Sequence, residues 1–131
     1  MKYFIALVHK DSDSAFGISF PDLSSVFSAA DAEEDLTANA IEALRFWAED
    51  EILPIPSSYD EISSRPDIRE QLAAGAFLTR VPYIEDTTRT VRANVTFDKG
   101  MLNAIDMAAK ERGLTRSAFL ASAARKEIEA A

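Results

Sequence analysis

Few side chains in this 131-residue chain are suited to covalent chemistry. There is no cysteine, which excludes thiolate nucleophiles, disulfides and Cys-based zinc sites. The single histidine, His9, rules out any site within one chain that needs two of them. It ends an apolar run and reads as a structural or solvated side chain. Asp11, Asp13, Asp22 and Asp31 fall in turns or caps, where carboxylates serve turn chemistry and solvation. Metal-dependent phosphodiester cleavage needs several carboxylates converging on two ions, and no such set is visible. Four glycines leave little room for a phosphate-cradling loop or a nucleophile elbow. The chain is therefore expected to have no catalytic residue, no metal site and no cofactor. What remains is recognition chemistry. Residues 89–97 read RTVRANVTF, with Val91, Ala93, Val95 and Phe97 on one face and Thr90, Arg92, Asn94 and Thr96 on the other.

The charge supports a division of labour. Fourteen basic against 22 acidic residues leave a net −8, which argues against a general nucleic-acid coat protein. Divided after Glu85, the first part holds six basic and sixteen acidic residues, a net −10. The second holds eight basic and six acidic residues, a net +2, so two parts with two jobs are expected. With 47% hydrophobic and 27% charged residues, the composition is that of a globular protein, not a disordered one. No apolar run approaches the roughly 18 residues of a membrane span. The opening MKYFIALVHK lacks a small-residue cleavage site and reads as a strand, so the expected location is the cytoplasm.

The elements of the first part follow from pattern. Residues 2–9 form an apolar strand, and Asp11–Ser14 a polar turn. Phe16, Ile18 and Phe20 alternate in a second strand, paired with the first as a hairpin and stopped by Pro21. Val26–Ala29 is a short third strand. Asp31 is the expected N-cap of a helix, with Glu34 completing a capping box. Leu36, Ala40, Leu44, Trp47 and Ala48 give that helix a buried stripe, with Ile41 beside it. Arg65-Pro66 opens a short helix to about Ala74, with Gly75 as its stop. Ala76–Ile84 is a last strand, at an edge because it contains Pro82. The order is β-β-β-α-(α)-β, an α+β domain over residues 1–85 in a partial RNase H-like arrangement, with a helix on one face of a meander.

One stretch of this domain resembles the N-terminal domain of HicB-type antitoxins. Phe16-Gly17-Ile18-Ser19-Phe20-Pro21-Asp22-Leu23 matches the family's aliphatic-Ser-Phe-Pro-Asp-Leu segment. An acidic helix start and the pair Asn39-Ala40 follow, as in that family. The sequence departs after Leu23, where Ser24, Ser25 and Val26 replace the usual Pro, Gly and Cys.

Residues 89–131 form a second pattern. Asp98 caps a helix whose stripe is Met101, Leu102, Ile105, Ala108 and Ala109, and Gly113 ends it. Thr115 caps a second helix with Ala118, Phe119, Leu120, Ala123, Ala124 and Ile128 apolar, and Arg125–Ala131 reads as its fraying end. One strand and two helices in about forty residues cannot bury enough surface alone. The strand also has no partner within its module. Two copies pairing their strands antiparallel solve both problems, so a homodimer is expected, with tetramers possible in principle through the first domain.

This β-α-α pattern resembles the ribbon-helix-helix family, whose paired strands enter the DNA major groove. Aligned on Gly113, the resemblance places Arg92, Asn94 and Thr96 at the base-reading positions. The chemistry suits them: Arg for guanine O6 and N7, Asn for adenine N6 and N7, and Thr for a hydrogen bond or a thymine methyl. The N-terminus of the second helix offers free amides to a phosphate, so Thr115, Arg116 and Ser117 form the expected backbone clamp, with Arg89 as a further phosphate contact.

Together the resemblances imply an antitoxin of a type II toxin–antitoxin system. Its first domain covers the active site of a HicA-like mRNA-cleaving ribonuclease, and its second represses the operon by binding operator double-stranded DNA. They assign no toxin-contacting residue. Two other readings compete: a ribbon-helix-helix repressor whose first domain senses an organic ligand, and a residual RNase H-like nuclease, which the missing carboxylate set disfavours.

Overall fold

A computed structural model describes residues 1–87 and 89–130. The described residues fall into two compact units, Met1–Glu85 and Asp86–Ala131, with Ala131 itself outside the description. In the first unit, β1 (Lys2–Lys10), β2 (Phe16–Phe20), β3 (Leu23–Ala30) and β4 (Phe77–Tyr83) form one sheet in the order β3-β2-β1-β4. All three pairings are antiparallel. The turn between β1 and β2 is polar, with Ser14 N–H donating to the Asp11 carbonyl at 3.2 Å and Asp13 at a positive φ of 63°. β4 lies at an edge, as Pro82 requires, opposite Tyr3. β3 is longer than the expected Val26–Ala29, because pairing with β2 extends to Leu23 and Ala30.

The central strand β1 is buried on both faces, which explains its unbroken apolar run. Phe4, Ala6 and Val8 join one core with Ile18, Phe20, Val26 and Val81, under helix α1 (Leu36–Ala48). α1 contributes Leu36, Ala40, Ile41 and Leu44 to that core, and Trp47 and Ala48 pack at its border. Ile5 and Leu7 point the other way and meet Ile62 and Ile68. Those two come from α2 (Tyr59–Ser63) and α3 (Pro66–Ala73), so helices cover both faces of the sheet and not one. α3 begins at Pro66 and stops before Gly75, whose φ of 107° suits a residue without a side chain. The expected capping box at Asp31 does not form. A short 3-10 turn, Glu33–Asp35, intervenes with Ala32 at its N-cap, and α1 proper begins at Leu36.

Asp22 is the main latch between strands and loop. Its carboxylate accepts from the Ser57 N–H at 2.7 Å, the Ser57 hydroxyl at 2.8 Å and the Arg65 guanidinium at 3.2 Å. Arg65 also donates to the Pro21 carbonyl at 3.4 Å. Asn39 is a second latch, donating to the Ala29 carbonyl at 2.8 Å and so tying α1 to β3. The departing segment Ser24–Val26 is built in as well: Val26 is buried, and the Ser25 hydroxyl accepts from the Trp47 indole at 3.1 Å.

The second unit contains α4 (Lys99–Glu111) and α5 (Arg116–Glu129). Asp98 caps α4 by accepting from the Met101 N–H at 2.9 Å, and Thr115 caps α5 by accepting from Ala118 at 3.1 Å. Gly113 between them has φ 67°. Arg125 to Glu129 is helical, not frayed, and Arg125 holds Glu129 at 3.3 Å and Asp86 at 2.9 Å. Residues 89–97 are exposed and form no ladder with any of the described residues.

Candidate nucleic-acid interface

Arg89, Arg92, Asn94 and Thr96 are all exposed. Residues Ala93, Asn94, Val95, Thr96 and Phe97, from both expected faces, line one open groove together with Arg116 and Ser117 at the start of α5 and with Leu102 and Leu120. Arg89 and Arg92 lie outside that groove. The structure therefore gathers two of the three expected base-reading positions with two of the expected phosphate-binding ones.

The roles within the α5 start differ from residue to residue. The Thr115 hydroxyl is committed to capping. The Arg116 guanidinium is committed to Asp106 on α4, through Nε to Oδ1 and Nη2 to Oδ2, both at 2.8 Å. This hydrogen-bonded ion pair lowers the Asp106 carboxyl from its ordinary value and raises the Arg116 guanidinium. Arg112 stacks toward the Phe119 ring at 5.3 Å, a second brace between the two helices. With Ala118 N–H taken by the cap, the Arg116 and Ser117 N–H groups of the first turn lack an acceptor within their own helix, which suits them to an anion.

The apolar side of this unit is incomplete. Among its described residues only Ile105 and Ala109 are buried, and α5 buries none. Val91 is 79% exposed and Val95 69%, and Met101, Leu114 and Ile128 are also exposed. The strand expected over residues 89–97 is not formed within the described chain, and sequence reasoning did not anticipate the Asp106–Arg116 brace. Their separation of ten residues across a helix–turn–helix carries no local signal.

His9 lies across Gly17, its register partner on β2, and the described residues contain no cluster of three metal-ligating side chains. No helix among them is long and apolar enough to cross a membrane.

Comparison with known proteins places these features in a class. The model of the HicB-like antitoxins of bacterial toxin–antitoxin systems matches residues 3–124. The chain belongs to that family of antitoxins. It is similar over 98% of its length to the Burkholderia pseudomallei antitoxin HicB, covering 97% of that chain at 29% identity and a TM-score of 0.53. It is similar over 96% of its length to the antitoxin HicB3, covering 97% of that chain at 28% identity and a TM-score of 0.52. A chain of the HicA3 and HicB3 toxin–antitoxin complex shares the fold over 63% of this protein and 99% of its own length, at 21% identity and a TM-score of 0.54. Comparison with curated protein sequences finds no significant match.

Proposed function

We infer that this antitoxin neutralises a HicA-like, mRNA-cleaving ribonuclease by covering its active site, and represses its own operon by binding operator DNA. The first unit, in a partial RNase H-like arrangement, is the toxin-binding part. Its net charge of −10 favours encounter with a basic, RNA-cleaving protein. Occlusion asks no chemistry of the antitoxin. The second unit acts as a ribbon-helix-helix module of a homodimer.

One observation carries the DNA-binding half of this reading. The 89–97 segment exposes apolar side chains, Val91 and Val95, and the candidate recognition residues Arg92, Asn94 and Thr96, while forming no ladder among the described residues. Antiparallel pairing of two such segments buries the first set and presents the second to a major groove. The amides of Arg116 and Ser117 then meet a phosphate, with Thr115 holding the helix start and Arg89 adding charge. The net +2 of this unit gives little bulk attraction, so tight binding depends on dimerisation and specific contacts.

The test is a mobility shift on the DNA upstream of the gene, with Arg92→Ala as the probe. Loss of a bidentate guanine contact costs about 1–3 kcal/mol. Toxin binding is expected to stay intact. Normal operator affinity in Arg92→Ala would refute strand readout, and the absence of a small basic reading frame beside the gene would count against the toxin partner.

A further inference from the structure

The first unit exposes large apolar side chains where a stable isolated domain would hide them. Phe27 on β3 is 68% exposed and Phe46 on α1 is 77% exposed. They line one open groove with Ser25, Trp47, Asp50 and Glu51. The Trp47 indole N–H donates to the Ser25 hydroxyl at 3.1 Å, which links the two walls of the groove. Beyond the groove residues in sequence, Ile52 and Ile55 are 94% and 90% exposed. Contiguous exposure of this kind marks an interaction site, and aromatic side chains are the usual anchors of one.

The charge beside the aromatics identifies the partner. α1 ends at Ala48, and Glu49, Asp50 and Glu51 follow directly. The carboxyl end of a helix carries partial negative charge and favours cations, so three acids there oppose the stability of the helix. They make sense opposite positive charge. An isologous contact between two copies would instead set acidic rims against each other, which disfavours a second copy of this chain. A small-molecule ligand is disfavoured too, because such sites enclose most of the ligand's surface, whereas both phenylalanines here face solvent.

We propose that the groove between β3 and the end of α1, with Phe27, Phe46 and Trp47 as anchors and Asp50 and Glu51 as its rim, is the docking surface for the basic ribonuclease partner. Arginine or lysine side chains of that partner lie over the aromatic faces and pair with the acidic rim. This inference rests on the toxin-neutralising reading and gives it an address.

The experiment uses the full chain and the HicA-like protein expected to be encoded beside its gene, with affinity and rates measured by surface plasmon resonance at two salt concentrations. Phe27→Ala combined with Phe46→Ala is expected to weaken binding about thirtyfold or more. Both rings are largely exposed, so the circular dichroism spectrum is expected to remain unchanged. Asp50→Lys with Glu51→Lys is expected to slow association about tenfold at low salt, and less at high salt. The same charge reversal is expected to raise the thermal midpoint of the first unit, because it favours the helix end. Loss of binding with a gain in stability separates a docking role from a structural one. If the wild-type chain binds and both variants match it within twofold, the surface assignment falls and the neutralising reading stands. If the wild-type chain does not bind, both fall. If the phenylalanine variant lowers the oligomeric mass of the chain alone, the groove belongs to a second copy and the proposal is overturned.

Discussion

Asp22→Ala tests whether the strand–loop latch sets the stability of the first unit. The carboxylate is 11% exposed and accepts three hydrogen bonds, two of them from Ser57. Hydrogen bonds to a charged group contribute about 1.5–3 kcal/mol each in favourable cases. The Arg65 side chain is 39% exposed, so water replaces much of what it loses. The Ser57 N–H and hydroxyl are less well placed to recover. A net cost of about 2 kcal/mol follows, which for a unit of this size lowers the midpoint by roughly 8–16 °C. Asp22→Asn keeps one carbonyl oxygen for Ser57 and is expected to cost about half as much. Trp47 is the only tryptophan and belongs to this unit, so its fluorescence isolates the relevant transition. The latch also fixes Ser57, two residues beyond the exposed Ile55. Partner affinity should therefore fall with stability in Asp22→Ala. A midpoint within 2 °C of wild type would refute the latch.

Two further perturbations address the second unit. Val95→Asp puts a charge on the face that dimerisation would bury; it is expected to give a monomer by light scattering and to abolish operator binding, and a retained dimer would sink the strand-pairing scheme. Asp106→Asn removes the α4–α5 brace and is expected to destabilise this unit at neutral pH. Because pairing lowers the folded pKa of Asp106, its contribution is complete above the unfolded carboxylate value and disappears as pH falls through the lower folded one. The gap between wild type and Asp106→Asn in thermal melts should accordingly close in acid; a gap independent of pH would show that the charge of Asp106 plays no part.

Much of the fold was legible because its signals are local. The alternation of Phe16, Ile18 and Phe20, the Asp98 and Thr115 caps, and Gly75 and Gly113 as helix ends each involve residues within one or two turns of each other. The cap expected at Asp31 failed because a capping residue competes with the turn around it. Glu33–Asp35 took up a 3-10 turn and moved the α-helix start to Leu36. α2 was missed because five residues are too few to show helical periodicity. Its signal was nevertheless present: the Ser58 hydroxyl accepts from the Glu61 N–H at 3.1 Å, a cap with an acid at the third position. The second covered face of the sheet was harder to see, since an apolar run such as residues 2–9 does not say which elements lie on either side.

Motif residues and interaction surfaces part company in this molecule. Asp22 and Asn39 belong to the segments that carry the resemblance to the HicB-type N-terminal domain, and the Asp22 carboxylate and the Asn39 Nδ2 are used inside the unit, on Ser57, Arg65 and the Ala29 carbonyl. A recognisable motif thus holds loop, strand and helix together. The surfaces with unmet demands lie elsewhere, at Phe27 and Phe46 in the first unit and at Val91 and Val95 in the second. Exposed apolar area and acids at the wrong end of a helix have no motif, because they are defined by what the fold fails to satisfy. If the chain acts by covering a toxin and pairing with a second copy, as proposed, those unsatisfied features are where binding free energy is available.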